Sequence, residues 1–112
     1  MTYTTRKSWV LARGLNDDTI SRQVYELMCV SRLEQCCVIG VTKIKGSIEQ
    51  AANMRQMKKL VDVARTRCFN VLYVISIKHI SENLDAAFEF MDRMNRYGVM
   101  VVDYDGYEYS RI

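Results

Sequence analysis

The spacing of apolar residues changes several times along this chain, and each change marks an element. Val71 to Ile77, VLYVISI, is a nearly unbroken β-branched and aromatic run. A strand covered on both faces has this composition, as in a parallel sheet between helices. Lys78-His79-Ile80-Ser81-Glu82-Asn83 follows as a short polar segment. From Leu84 to Met94 the apolar positions Leu84, Ala87, Phe88, Met91 and Met94 recur at three and four, one stripe of an amphipathic helix. Ser81 or Asn83 is placed to cap it, Asp85 sits in the favourable first turn, and Arg93 and Arg96 suit the last. Gly98 is placed to leave the helix in a left-handed conformation, and Val99 to Val102 is a second buried strand. The unit is a βαβ crossover. Its loop at 78–83, at the C-terminal end of the first strand, is where an α/β protein keeps its chemistry.

The preceding residues repeat the alternation. Lys7 to Arg13, KSWVLAR, predicts a strand, broken by Gly14-Leu15-Asn16-Asp17-Asp18. Asp17, Asp18 or Thr19 caps a helix to about Gln35, with Ile20, Val24, Leu27, Met28 and Leu33 on its apolar face. Cys36 to Ile44, CCVIGVTKI, is a second strand and Lys45-Gly46-Ser47 a turn. A second helix spans Ala51 to Arg67, with Met54, Met57, Leu60, Val61 and Ala64 on one side. After Asp103 the tail YDGYEYSRI predicts a short edge strand beyond an Asp105-Gly106 turn. Strands alternating with helices give an α/β fold: a three-layer α/β/α sandwich around a mainly parallel sheet of 4–5 strands.

Length confines this to one domain, residues 1–112. A 49% hydrophobic and 26% charged composition, with no proline, is that of an ordinary globular chain without linkers. No apolar run is long enough for a membrane span, and MTYTTRKSW lacks a signal core, so the expected location is cytoplasmic. The net charge of +3 is spread among acidic residues, with small clusters at Lys43/Lys45 and Lys58/Lys59. A dedicated DNA-binding face is more strongly basic.

The candidate chemistry is sparse. Cys29, Cys36, Cys37 and Cys68 form no CxxC, and His79 is the single histidine, so neither a metal nor a cofactor is expected and the cysteines read as small buried hydrophobes. There is no GxGxxG and no GxxxxGK[ST]. The methionines at 54, 57, 91 and 94 read as core filling. Tyr104, Tyr107 and Tyr109 alternate as an edge strand does; an aromatic contact surface is the functional alternative. His79 with Ser76 or Ser81 has the ingredients of a nucleophile and base, which require spatial reach and an orienting acid.

Several segments resemble the N-terminal catalytic domain of serine recombinases, the resolvase/invertase family. Val10-Leu11-Ala12-Arg13-Gly14-Leu15 resembles the family's aromatic-Ala-Arg-Val-Ser, and Ser21-Arg22-Gln23 its Ser-Leu-x-x-Gln. Ile39-Gly40-Val41 with Gly46-Ser47 resembles its second strand and Ser-Gly turn, and Met54-Arg55-Gln56 through Ala64-Arg65 its Arg-Pro-Gly-x-x-x-Leu-Leu helix. Val71 to Asn83 resembles the strand and loop ending Lys-Leu-Asp-Arg-Leu-x-Arg-Asn, and Met94 to Val99 the turn before the next strand. The resemblance implies a resolvase-like fold across nearly the whole chain.

It also implies a site, and here the chain departs. In the family a serine hydroxyl attacks a DNA phosphodiester, forming a phosphoseryl link, and arginines stabilise the phosphate charge. The matching position is Leu15, which carries no nucleophile. The family's Asp-Arg becomes Lys78-His79, and its second arginine becomes Glu82, a carboxylate that repels phosphate. Arg13 survives, and Arg55 matches the family's arginine before the second helix. The first reading is therefore a catalytically inactive domain that regulates a recombinase or mobile-element protein, or forms its own oligomer. The second is an enzyme with relocated chemistry, using Arg13, Arg55 and His79 with Ser76 or Ser81 as nucleophile. The third is an accessory DNA binder using Lys43, Lys45, Lys58 and Lys59.

Overall fold

Strand β3, Val71–Val74, is buried along its whole length, as its unbroken apolar sequence requires. It lies at the centre of the sheet in a computed structural model that describes residues 6–104 and 108–109. The other elements are β1 (Arg6–Gly14), α1 (Asp17–Leu33), β2 (Cys36–Lys45), α2 (Ala51–Arg65), α3 (Leu84–Arg96), β4 (Met100–Asp103) and β5 (Glu108–Tyr109). Sheet order is β2-β1-β3-β4-β5, with the first four strands parallel and β5 antiparallel to β4. One face packs Val10, Cys36, Tyr73 and Val102 around Leu27 of α1. The other packs Leu11, Ile44, Leu72 and Val101 against Leu60 and Ala64 of α2 and Met91 and Met94 of α3. This is the expected three-layer α/β/α sandwich with a resolvase-like arrangement of strands. The tail turn at Asp105-Gly106, Tyr107 and the side chain of Tyr109 lie outside the described residues.

Helix ends differ from the sequence expectation for local reasons. Asn16, rather than Asp17, Asp18 or Thr19, caps α1: its Oδ1 accepts from Thr19 N at 2.8 Å, leaving both aspartates in the first turn where the helix dipole favours them. Asn83 caps α3 through Asp85 N and Ala86 N. Gly98 leaves α3 at φ +79°, and Val99 N closes the turn on Met94 O. α2 ends at Arg65, two residues short of the expected end, as Arg67 turns to φ +60°.

β3 was expected to run to Ile77 but stops at Val74, where its pairing with β1 ends. Ser76 Oγ then accepts from Lys78 N and opens a single 3₁₀ turn, Ile77–His79. Ile77 packs on the core from that turn, so its apolarity serves burial without strand geometry.

The helical stripes are narrower than the spacing predicts. Met28 and Leu33 of α1, Met54 of α2, and Leu84 and Phe88 of α3 are exposed. Leu33 is the last residue of α1 and Leu84 the first of α3. Asn53 is buried in α2 instead, its Nδ2 donating to Lys45 O and Ser47 O. Of the four cysteines, expected as buried hydrophobes, Cys36 alone is buried; Cys29, Cys37 and Cys68 are free and exposed. Two polar groups in the α1 layer are satisfied: Ser31 Oγ bonds Ser8 Oγ and donates to Cys36 O, and the buried Tyr73 hydroxyl donates to Glu34 Oε1 at 2.7 Å. Burial pushes the Tyr73 phenol well above its ordinary pKa.

Candidate functional site

β1 and β3 lie side by side, yet β1 connects through α1 to one edge of the sheet and β3 through α3 toward the other. The chain diverges at their C-terminal ends, which opens a crevice there. Arg13, Gly14 and Leu15 enter it from β1, Gly46 and Ser47 from β2, and Lys78, His79 and Glu82 from the segment after β3. They line a cavity of about 620 Å³.

Arg13 organises this end of the molecule. Its Nε donates to Gly46 O at 3.1 Å, Nη1 to Lys78 O at 3.3 Å and Nη2 to Glu82 Oε1 at 3.3 Å. One guanidinium thus ties together the loops that follow three strands. Its own backbone is held by Gln23 of α1, whose Oε1 accepts from Arg13 N at 2.9 Å and whose Nε2 donates to Arg13 O at 2.8 Å. Gly46 turns at φ +87° and donates to Gly14 O, bringing the β2 loop beside Arg13. The Arg13 side chain is 15% exposed, whereas that of Glu82 is 84% exposed.

The other expected site residues divide. Leu15 stands at the cavity mouth, 85% exposed. Lys78 lines the cavity but contributes its backbone carbonyl to Arg13. Arg55 is exposed on α2 and is not among the cavity-lining residues. Ser76 Oγ is occupied as the 3₁₀ cap, and Ser81 Oγ accepts from Asn83 N. His79 Nδ1 is buried and has no hydrogen-bond partner, so neither serine is paired with it. Gln23 and Gly46 contribute contacts that no motif announces; the sequence placed Gly46 in a turn, and Gln23 entered only as part of a resemblance.

Burial, and secondarily the nearby Arg13 guanidinium, push the His79 imidazole below its ordinary value near 6.5. The unfolded chain therefore binds a proton that the folded domain resists. The resulting stability is fully present above about pH 6.5 and is lost as pH falls toward the lower folded value. Urea unfolding from pH 8 to pH 5 is expected to show a steeper loss for the wild type than for His79→Gln. Parallel curves would remove His79 as a contributor.

The two lysine pairs lie on opposite sides of the sheet. β2 carries a bulge at Ile39, which puts Val38 and Val41 on the same, α1-facing side. Lys43 and Lys45 follow Val41 on that side, and Lys45 Nζ lies 3.4 Å from Asp17. Lys58 and Lys59 belong to α2, on the other face. Among the described residues no three His, Cys, Asp or Glu side chains converge as a metal site would require, and no helix is long and apolar enough to cross a membrane.

No family model matches this sequence, and no curated protein matches it. Solved structures match its fold. The N-terminal catalytic domain of TP901-1 integrase is 13% identical with a TM-score of 0.77, over 89% of this chain and 79% of that one. A resolvase family site-specific recombinase from Streptococcus pneumoniae is 14% identical with a TM-score of 0.77, over 96% and 78%. The C-terminal catalytic domain of ISC1926 TnpA, an IS607-like serine recombinase, is 16% identical with a TM-score of 0.76, over 87% and 68%. At these identities the likeness is one of fold.

Proposed function

We propose that this chain, which has the fold of serine recombinase catalytic domains, is a non-cleaving relative of them that acts through protein contacts, in the regulation of DNA recombination or of a mobile element. The observation that carries the reading is the crevice itself. By the sequence resemblance the nucleophile's position falls at Leu15, and Leu15 is a hydrocarbon side chain 85% exposed at the cavity mouth. A phosphoseryl link needs a hydroxyl oxygen there, and a leucine offers none. The surviving Arg13 is turned to two backbone carbonyls and the Glu82 carboxylate. A guanidinium so engaged stabilises its own chain, and the added carboxylate opposes an incoming phosphate.

Relocated chemistry has less support, since the Ser76 and Ser81 hydroxyls accept local backbone bonds and neither meets His79. An accessory DNA-binding role would have to draw on lysine pairs that sit on opposite faces.

The test uses the full chain with supercoiled plasmid and with end-labelled duplex DNA, quenched in detergent. The expected result is intact supercoils and no protein–DNA species on a denaturing gel. A covalent adduct whose mass maps to a phosphorylated serine would overturn the reading.

A further inference from the structure

We propose that the groove between α2 and α3 docks an acidic amphipathic helix of a partner protein. The inference rests on the reading that the domain works through protein contacts, and it names the surface used and the chemistry that fits it.

α2 and α3 pack on the same face of the sheet, and a groove of about 310 Å³ runs between them. Met57 and Val61 of α2 and Phe90 of α3 supply its apolar lining. Met54, 58% exposed, precedes Met57 by about one turn. At about 100° per residue, Met54, Met57 and Val61 fall within about 60° of one another round α2, so Met54 carries the apolar strip toward the start of the helix. From Met54 to Arg65 the strip is about 16 Å long, three helical turns.

Charge selects the occupant. Lys58, Arg65 and Arg93 line the same groove against one carboxylate, that of Asp62. Lys58 and Arg93 are exposed and are in no ion pair among the described residues. Arg65 is held in place, its guanidinium 5.9 Å from the centre of the Tyr97 ring. Lys58 and Arg65 are seven residues apart on α2, about 10 Å along the axis, which matches carboxylates two turns apart on a docked helix. An apolar strip between basic walls is complementary to a helix with apolar residues at three and four spacing and carboxylates on both flanks. Nucleic acid suits it less, because a phosphate backbone gains nothing from Met57, Val61 and Phe90.

Fluorescence anisotropy of a labelled, N-acetylated peptide of about 15 residues, with leucines at three and four spacing and glutamates on both flanks, titrated with the full chain, tests this. The expected dissociation constant is about 10–100 μM. Replacing the peptide's leucines by alanine, or its glutamates by lysine, should weaken binding at least about tenfold. On the protein, K58E/R93E and Met54→Glu should each weaken it by roughly tenfold, since like charges then face the peptide's carboxylates. K43E/K59E makes the same change in net charge as K58E/R93E but lies outside the groove, and should change affinity by less than about twofold at physiological salt. All these positions are exposed, so circular dichroism should show the fold intact. Absence of binding up to about 1 mM, equal losses in the two double variants, or indifference to Met54→Glu would each overturn the proposal. So would displacement of the peptide by duplex DNA, or a dimer of the chain that K58E/R93E breaks. A covalent DNA adduct would instead remove the functional reading and leave the peptide result standing, so the two failures are distinguishable.

Discussion

Gly40→Ala is expected to destabilise the domain by about 1–3 kcal/mol, by overpacking rather than by backbone strain. A Cβ at Gly40 would fall inside the van der Waals envelope of Trp9 Cζ3 and Cη2, and 2.6 Å from Cε3. The indole cannot easily swing aside. Its Nε1 donates to Thr42 Oγ1 at 2.9 Å, and its ring lies 5.4 Å from that of Phe69. Relief requires breaking the hydrogen bond, unstacking the rings, or spreading β1 from β2 at the bulge. The shift in melting temperature should be roughly 5–15 °C. A double-mutant cycle identifies the cause: in a Trp9→Leu background the same alanine should cost much less, because the clash partner is gone. An equal cost in both backgrounds would refute the packing account.

Gly40 also illustrates what the sequence conceals. The order of elements was readable because apolar period differs between strands and helices. VLYVISI and the stripe through Ala87, Met91 and Met94 predict a buried strand and a packed helix, and both occur. Element ends were less readable, since they depend on partners far away in sequence. β3 stops where β1 ceases to pair with it, although its apolar run continues. Leu33, Met54, Leu84 and Phe88 have helical spacing, yet they are exposed, because burial on each helix is confined to a narrower face. Nothing local announces the bulge at Ile39, which keeps Val38 and Val41 on one face.

The site was legible in position and opaque in wiring. A βαβ unit puts functional loops at strand C-termini, and Leu15, Lys78, His79 and Glu82 do meet there. Arg55 was carried by resemblance alone, and it is exposed on α2 away from the cavity. The contacts of Arg13 reach residues more than thirty positions away, a distance over which motif spacing carries no information. The same holds for Gln23: its amide clamps the backbone of Arg13, and that geometry exists only once α1 packs beside β1.

Removing the Arg13 side chain is expected to cost about 2–3 kcal/mol of stability, whereas Glu82→Gln should cost less than about 0.5 kcal/mol. The asymmetry follows from burial. The Arg13 side chain is 15% exposed, and its guanidinium donates to two carbonyls that anchor the loops after β2 and β3. Hydrogen bonds from a charged group contribute more than neutral ones, and the aliphatic stem adds packing. Glu82 is 84% exposed, so its ion pair is screened by water and worth little. Arg13→Lys should fall nearer to alanine than to wild type, because an ammonium cannot reproduce a planar fork aimed at three acceptors. Urea unfolding of Arg13→Ala, Arg13→Lys and Glu82→Gln measures all three. Should Glu82→Gln prove as costly as Arg13→Ala, the ion pair would be the main fastening and the carbonyls minor. Should Arg13→Ala be neutral, the arginine would not be the tie between the loops, and its burial beside an exposed leucine would need another explanation.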